Sequence, residues 1–328
     1  MDLNFPKVEL HLHLEGIITF KRLLSLYDSK GIPMPHFMQN GFPDSFPTFT
    51  NFVDAFYACC TPIQKEEDFR FYIEGLAGYM EENNLVYTEI SWTPFFYIHK
   101  GLSFEKMMGI MNEELESLGI RSKVRFIIDV QRDHGDDVMN AIFSKIAGSK
   151  DFQIAGVGMT GDEFQSIPKK GIYWFERLHE ECNFGRTVHT GEYGGPEKIR
   201  EVIDQLKPER LGHGINAIQS DSLLSEILDK GIHLENCPTS NLKLHRVDRY
   251  QNHPLKLFLE KGISVGINSD DPGIFKMPIN HEIEKSIEIL GLSEQEVRDL
   301  NHNAIKAAFI EKVDIEKIEH QVNQYYEK

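Results

Sequence analysis

Only four cysteines occur in the 328 residues, Cys59, Cys60, Cys182 and Cys237, and none has CxxC or zinc-finger spacing. Adjacent Cys59 and Cys60 make a poor disulfide, so reduced thiols in a cytosolic protein are expected. Positive charge is also scarce. Thirty-five Lys and Arg stand against 51 Asp and Glu, a net −16. Nucleic acid would be repelled by that field, whereas a small neutral substrate would not. No stretch approaches the ~18 apolar residues of a membrane span. A basic, then apolar, then small-residue leader is missing too, since Asn4-Phe5-Pro6-Lys7 runs straight into the first apolar segment. Linkers and low-complexity segments are likewise absent. One domain over residues 1–328 is therefore expected, soluble and cytoplasmic, with no sequence feature bearing on oligomeric state.

What the chain does have is rhythm. Short apolar or β-branched runs bounded by Gly, Pro or polar residues predict strands at Val8–His13, Val86–Trp92, Val124–Val130, Ala155–Thr160, Thr187–Gly191, Arg210–His213, His233–Cys237 and Ser264–Asn268. Amphipathic segments alternate with them, such as Phe104-Met107-Met108-Met111, and Pro196-Glu197 opens another helix with Pro in its first turn. Eight such repeats predict a closed (β/α)₈ TIM barrel with C-terminal helices. Residues of about 31–84 are too many for a simple crossover. Helical patterns at Asn51–Ala58 and Glu66–Tyr79 predict a helical lid insertion over the barrel mouth after strand 1.

Chemistry-bearing residues fall at one end of these strands. Side chains alternate along a strand with period two, so His11 and His13 face the same way. An isolated HxH is more often two ordinary polar residues than a metal site. Here, however, His189 closes strand 5, His213 closes strand 6, and Asp270-Asp271 follow strand 8. All lie at the C-terminal rim, where active sites of such barrels are built. Imidazole nitrogens with a carboxylate suit a divalent cation such as zinc.

The segments PKVELHLHLEG, GVGMTGDE, VHTGE, RLGHG, ENCPTSN and NSDDP resemble, in order, the signature blocks of the adenosine deaminase family of the amidohydrolase superfamily. The resemblance implies one zinc per chain, held by His11, His13, His189 and Asp270. It further implies Glu192 as the acid that protonates purine N1, and His213 as the group that positions the attacking water. Asp271 would bond N7, and the Gly161 N–H would face N3. Attack at C6 would release ammonia, turning adenosine into inosine. Phe52 and Phe56, on an apolar stripe at helical spacing, read first as core. The resemblance adds the alternative of a hydrophobic gate over the nucleobase.

Two departures from the family pattern bear on the substrate. Glu15 stands where nucleoside-acting members usually carry an Asp that bonds the ribose 5′-hydroxyl, and HLHLEG is common in adenine deaminases. Gly161-Asp162-Glu163 instead resembles the nucleoside-acting pattern, although Gly158 replaces an Asp common in that block. Adenosine is the leading expectation; adenine and 6-aminodeoxyfutalosine are the alternatives. A two-metal phosphodiesterase on the same barrel is disfavoured because strand 4 ends in Thr160-Gly161, with no bridging ligand. A non-catalytic nucleoside-binding protein is disfavoured because no ligand or proton donor is missing.

Overall fold

In the computed structural model, which describes residues 2–148 and 152–327, eight parallel strands pair in sequence order. They are β1 (Lys7–His13), β2 (Leu85–Trp92), β3 (Val124–Gln131), β4 (Ile154–Thr160), β5 (Gly185–Thr190), β6 (Arg210–His213), β7 (His233–Asn236) and β8 (Val265–Ile267). Each lies within two residues of its sequence expectation, because a run buried on both faces has few alternative ends once Gly and Pro bound it. The nearly closed TIM-like barrel is thus the architecture that the alternating pattern predicts.

Closure between β8 and β1 depends on more than backbone pairing. With only three residues, β8 is too short to complete a ladder. The Asn268 side-chain oxygen takes over by accepting from the Leu10 and His11 N–H groups at 3.0 and 3.2 Å. Just beyond, His13 N–H donates to Asp270 O at 3.0 Å and Asp270 N–H to His11 O at 3.2 Å. The barrel seam is therefore tied at the residues that the sequence singles out for chemistry.

Barrel interiors are usually filled by branched apolar residues, but this one carries charge at its base. Fully buried Arg210 pairs with Glu89 and Glu235, each at 2.6 Å, and its guanidinium lies 3.7 Å above the Phe309 ring. A buried cation is tolerable only when matched and hydrogen-bonded in this way. Phe309 follows helix Glu294–Ala307, which packs on β1 and β8; its Asn301 accepts from Val8 N–H at 3.0 Å. Helix Lys312–Tyr326 ends the described chain.

Between β1 and β2 run helices Phe20–Lys30, Phe49–Cys60 and Arg70–Asn83. The second is two residues longer at each end than its stripe predicts; its N-terminal extension is fixed by Thr48, which accepts from Asn51 N–H. A 3₁₀ turn over Glu66–Phe69 precedes the third. Cys59 and Cys60 are buried in the second helix and form no disulfide.

Candidate active site

The C-terminal rim gathers His11 and His13 from β1, His189 from β5, His213 from β6 and Asp270 from the turn after β8. His13 Nε2 is 3.3 Å from His189 Nε2 and 3.2 Å from Asp270 Oδ1, while His11 Nε2 is 3.3 Å from the same oxygen. A tetrahedral ion with bonds near 2.1 Å would separate its ligands by about 3.4 Å. His11 Nε2 is buried without a hydrogen-bond partner. Its Nδ1 meets Glu235 Oε2 at 2.8 Å, so Nδ1 carries the proton and Nε2 offers a lone pair. A carboxylate behind a ligating imidazole is the usual support of a metal site. The rim thus offers three imidazoles and a carboxylate, a His/His/His/Asp set able to hold a metal ion.

His213 also enters this cluster. Its ring, with those of His11 and His189 and the Asp270 carboxylate, offers ligand atoms all within 4.8 Å of one another. Yet His213 Nε2 stands 4.0 Å from Asp270 Oδ2, farther than His13 from Oδ1. Both His213 and Asp270 adopt left-handed backbone, φ 60° and 63°. For non-glycine residues this conformation costs on the order of 1–3 kcal/mol, and it persists where surrounding structure imposes it. Gly212 is what lets the rings converge, because a Cβ there would lie 2.9 Å from His11 Cε1 and 3.2 Å from the His189 ring.

Glu192 follows His189 in a tight loop and is buried, with Oε2 3.9 Å from His213 Nε2. Burial pushes its carboxyl well above the usual range, and the negative charges of Asp270 and Glu163 add to the rise. A cation beside Asp270 would offset part of that rise, leaving the contribution of burial. The loop itself is clamped by Glu163. That carboxylate accepts from the N–H groups of Gly191, Glu192, Tyr193 and Gly194 at 2.6, 3.0, 2.8 and 3.3 Å. Arg132 braces the same corner, donating to Glu163 O at 3.2 Å and His189 O at 2.9 Å.

A cleft opens over these groups. Its walls include Phe49, Phe52, Val53 and Phe56 from helix Phe49–Cys60, with Phe96, Leu244, Gly161, Glu192 and Asp271. Phe52 stacks on Phe275 at 5.5 Å, and Phe56 stands edge-on to His13 at 6.2 Å. Asp271 Oδ1 is buried with no hydrogen-bond partner. Glu15 lies deeper than the cleft wall, as His11 does. It is completely buried; its Oε1 accepts from Tyr97 Oη at 3.2 Å, while Oε2 has no hydrogen-bond partner.

Several supporting residues fall inside the signature blocks, which do not by themselves disclose what they do. Glu235 and Arg210 are inward positions of β7 and β6, detectable from period-two alternation once the strands are placed. Glu163 lies in the GDE block but owes its importance to backbone donors that a sequence does not display. Asn241, the last residue of ENCPTSN, meets His213, and His253 meets Asn241 in turn; the block marks neither contact.

This fold and rim define a metal-dependent barrel hydrolase. The sequence profile of the adenosine deaminase family matches residues 6–325. An adenine deaminase from Rhodospirillum rubrum is 30% identical over 310 residues, covering 93% of this chain and 92% of its own length. The crystal structure of an adenine deaminase from Arthrobacter aurescens superposes with a TM-score of 0.88 at 25% identity, covering 99% of this chain and all of that one. An amidohydrolase from Burkhoderia ambifaria, solved with bound zinc, gives 0.86 at 19% identity, covering 99% of this chain and 91% of that one. The chain belongs to the adenosine deaminase family. It is an aminohydrolase acting on C–N bonds, and its chemistry is metal-dependent purine deamination. No helix among the described residues is long and apolar enough to cross a membrane.

Proposed function

We propose that the protein hydrolyses the 6-amino group of free adenine, yielding hypoxanthine and ammonia, rather than acting on adenosine as the sequence alone favours. The observation that carries the choice is the position of Glu15. An acid serving a ribose hydroxyl needs an accessible oxygen, but Glu15 is completely buried and its Oε1 is held by Tyr97 Oη. The relative from Rhodospirillum rubrum and the structure from Arthrobacter aurescens, both adenine deaminases, support the same substrate.

His11, His13, His189 and Asp270 would hold the ion, and this nitrogen-rich set with one carboxylate suits zinc. When bound, zinc supplies a water ligand acidified toward neutrality. The protein's own groups do the rest. Glu192, kept neutral by burial, donates a proton to the ring nitrogen beside the amino-bearing carbon. His213 directs a hydrogen bond at the attacking oxygen, and Asp271 and the Gly161 N–H orient the purine edge. Phe52 and Phe56 cover the ring and exclude water, which strengthens these interactions.

Ranking adenine, adenosine, 2′-deoxyadenosine, adenosine 5′-phosphate and 6-aminodeoxyfutalosine by kcat/KM tests this reading. Adenine should lead adenosine by at least about 100-fold, the scale expected when a site lacks partners for a substrate's hydroxyls. Adenosine in first place would overturn it.

A further inference from the structure

A chain of three hydrogen bonds ends on His213 and begins at a backbone N–H whose direction is not in doubt. Leu255 opens helix Leu255–Glu260, so its N–H has no partner within that helix. It donates instead to His253 Nδ1 at 3.2 Å. That nitrogen must therefore be the unprotonated one, and the ring proton of neutral His253 must sit on Nε2. His253 Nε2 lies 3.1 Å from Asn241 Oδ1, so it donates there and fixes the orientation of the amide. The Asn241 NH₂ then faces His213 Nδ1 at 3.2 Å, with Glu192 Oε1 3.5 Å away. His213 Nδ1 can only accept. All three side chains are nine-tenths or more buried, so water cannot substitute for a missing link.

We propose that His253 and Asn241 are positioning residues that lock His213 in the tautomer with its proton on Nε2, the nitrogen facing the cleft. A nitrogen that carries a proton cannot bind a metal. The relay therefore excludes His213 from the ligand set to which its position would admit it, and leaves that place to His13. It also makes His213 a hydrogen-bond donor toward the site and not a base, in keeping with the role given to it above. The tautomer assignment depends on the structure alone; only its catalytic consequence rests on the proposed deamination.

Long-range ¹H–¹⁵N correlation spectra of the zinc-loaded protein, labelled at histidine, read the tautomer directly. The His213 signals would be assigned by their loss in His213→Asn. Wild-type His213 should show a pyrrole-type Nε2 and a pyridine-type Nδ1. Asn241→Leu, which removes the donor to Nδ1 and brings no titratable group, should give a mixture of tautomers and lower kcat ~10-fold with KM changed less than threefold. His253→Gln retains a donor for Asn241 and should preserve the wild-type pattern, whereas His253→Phe should give a mixture of tautomers. A pyridine-type Nε2 in the wild type would overturn the proposal, as would Asn241→Leu leaving the proton wholly on Nε2. Should adenine prove not to be the substrate, the spectra would be unaffected, so the two failures are distinguishable.

Discussion

Asp129 on β3 and Gly158 on β4 are register partners, and the Asp129 carboxylate fills the space that a Cβ on Gly158 would enter. Asp129 Oδ2 also lies 3.9 Å from His13 Nδ1. The Asp that the family block commonly carries at position 158 thus has a counterpart one strand away. Gly158→Asp alone should overfill the site and destabilise the protein by about 1–3 kcal/mol, read as a lower denaturation midpoint. Asp129→Gly combined with Gly158→Asp should recover most of the loss, because touching residues are not additive. A double variant no more stable than Gly158→Asp would show that the two positions do not share one space.

Glu192→Gln keeps the shape of the loop but removes the transferable proton. It should retain metal and lower kcat about 10²–10⁴-fold, the usual contribution of a general acid. Metal analysis alongside steady-state kinetics checks both halves. Full activity with metal retained would remove Glu192 from the chemistry.

Much of this was legible in the sequence, and for identifiable reasons. The strands are short apolar runs with Gly, Pro or polar ends, and their residue period places His11 and His13 together. The start of helix Phe49–Cys60 was less legible, because the Thr48 cap adds about half a turn that an apolar stripe does not mark. Glu15 was legible only in part, as a departure toward the adenine deaminase pattern. Its place in HLHLEG is local, while the direction of its carboxylate is set by Tyr97, 82 residues away. The clamp by Glu163 and the path from Leu255 to His213 depend on backbone donors and distant contacts, which spacing cannot encode.

Phe52 lines the cleft and stacks on Phe275. Phe52→Ala should raise KM for adenine several-fold with metal content unchanged, since it removes cover from the ring and touches no ligand. An unaltered KM would reassign Phe52 to packing alone.

Glu282 is buried among Tyr250 Oη at 2.5 Å and Thr239 Oγ1 at 3.1 Å, and burial pushes its carboxyl up from 4.5 to about 7. Between those values the folded protein holds a proton that the unfolded chain has lost, so stability falls as pH rises. The contribution has a limiting slope of about 1.4 kcal/mol per pH unit. Urea midpoints at pH 5 and pH 7 should show Glu282→Gln gaining on the wild type as pH increases. A difference independent of pH would contradict the shift.

The whole account rests on which side chains grip the ion at the barrel rim. Metal content of the purified wild type, His13→Ala and His213→Ala, measured by elemental analysis after dialysis, addresses this most directly. About one zinc per chain is expected in the wild type and in His213→Ala, with loss in His13→Ala. Zinc retained by His13→Ala and lost by His213→Ala would contradict the ligand set.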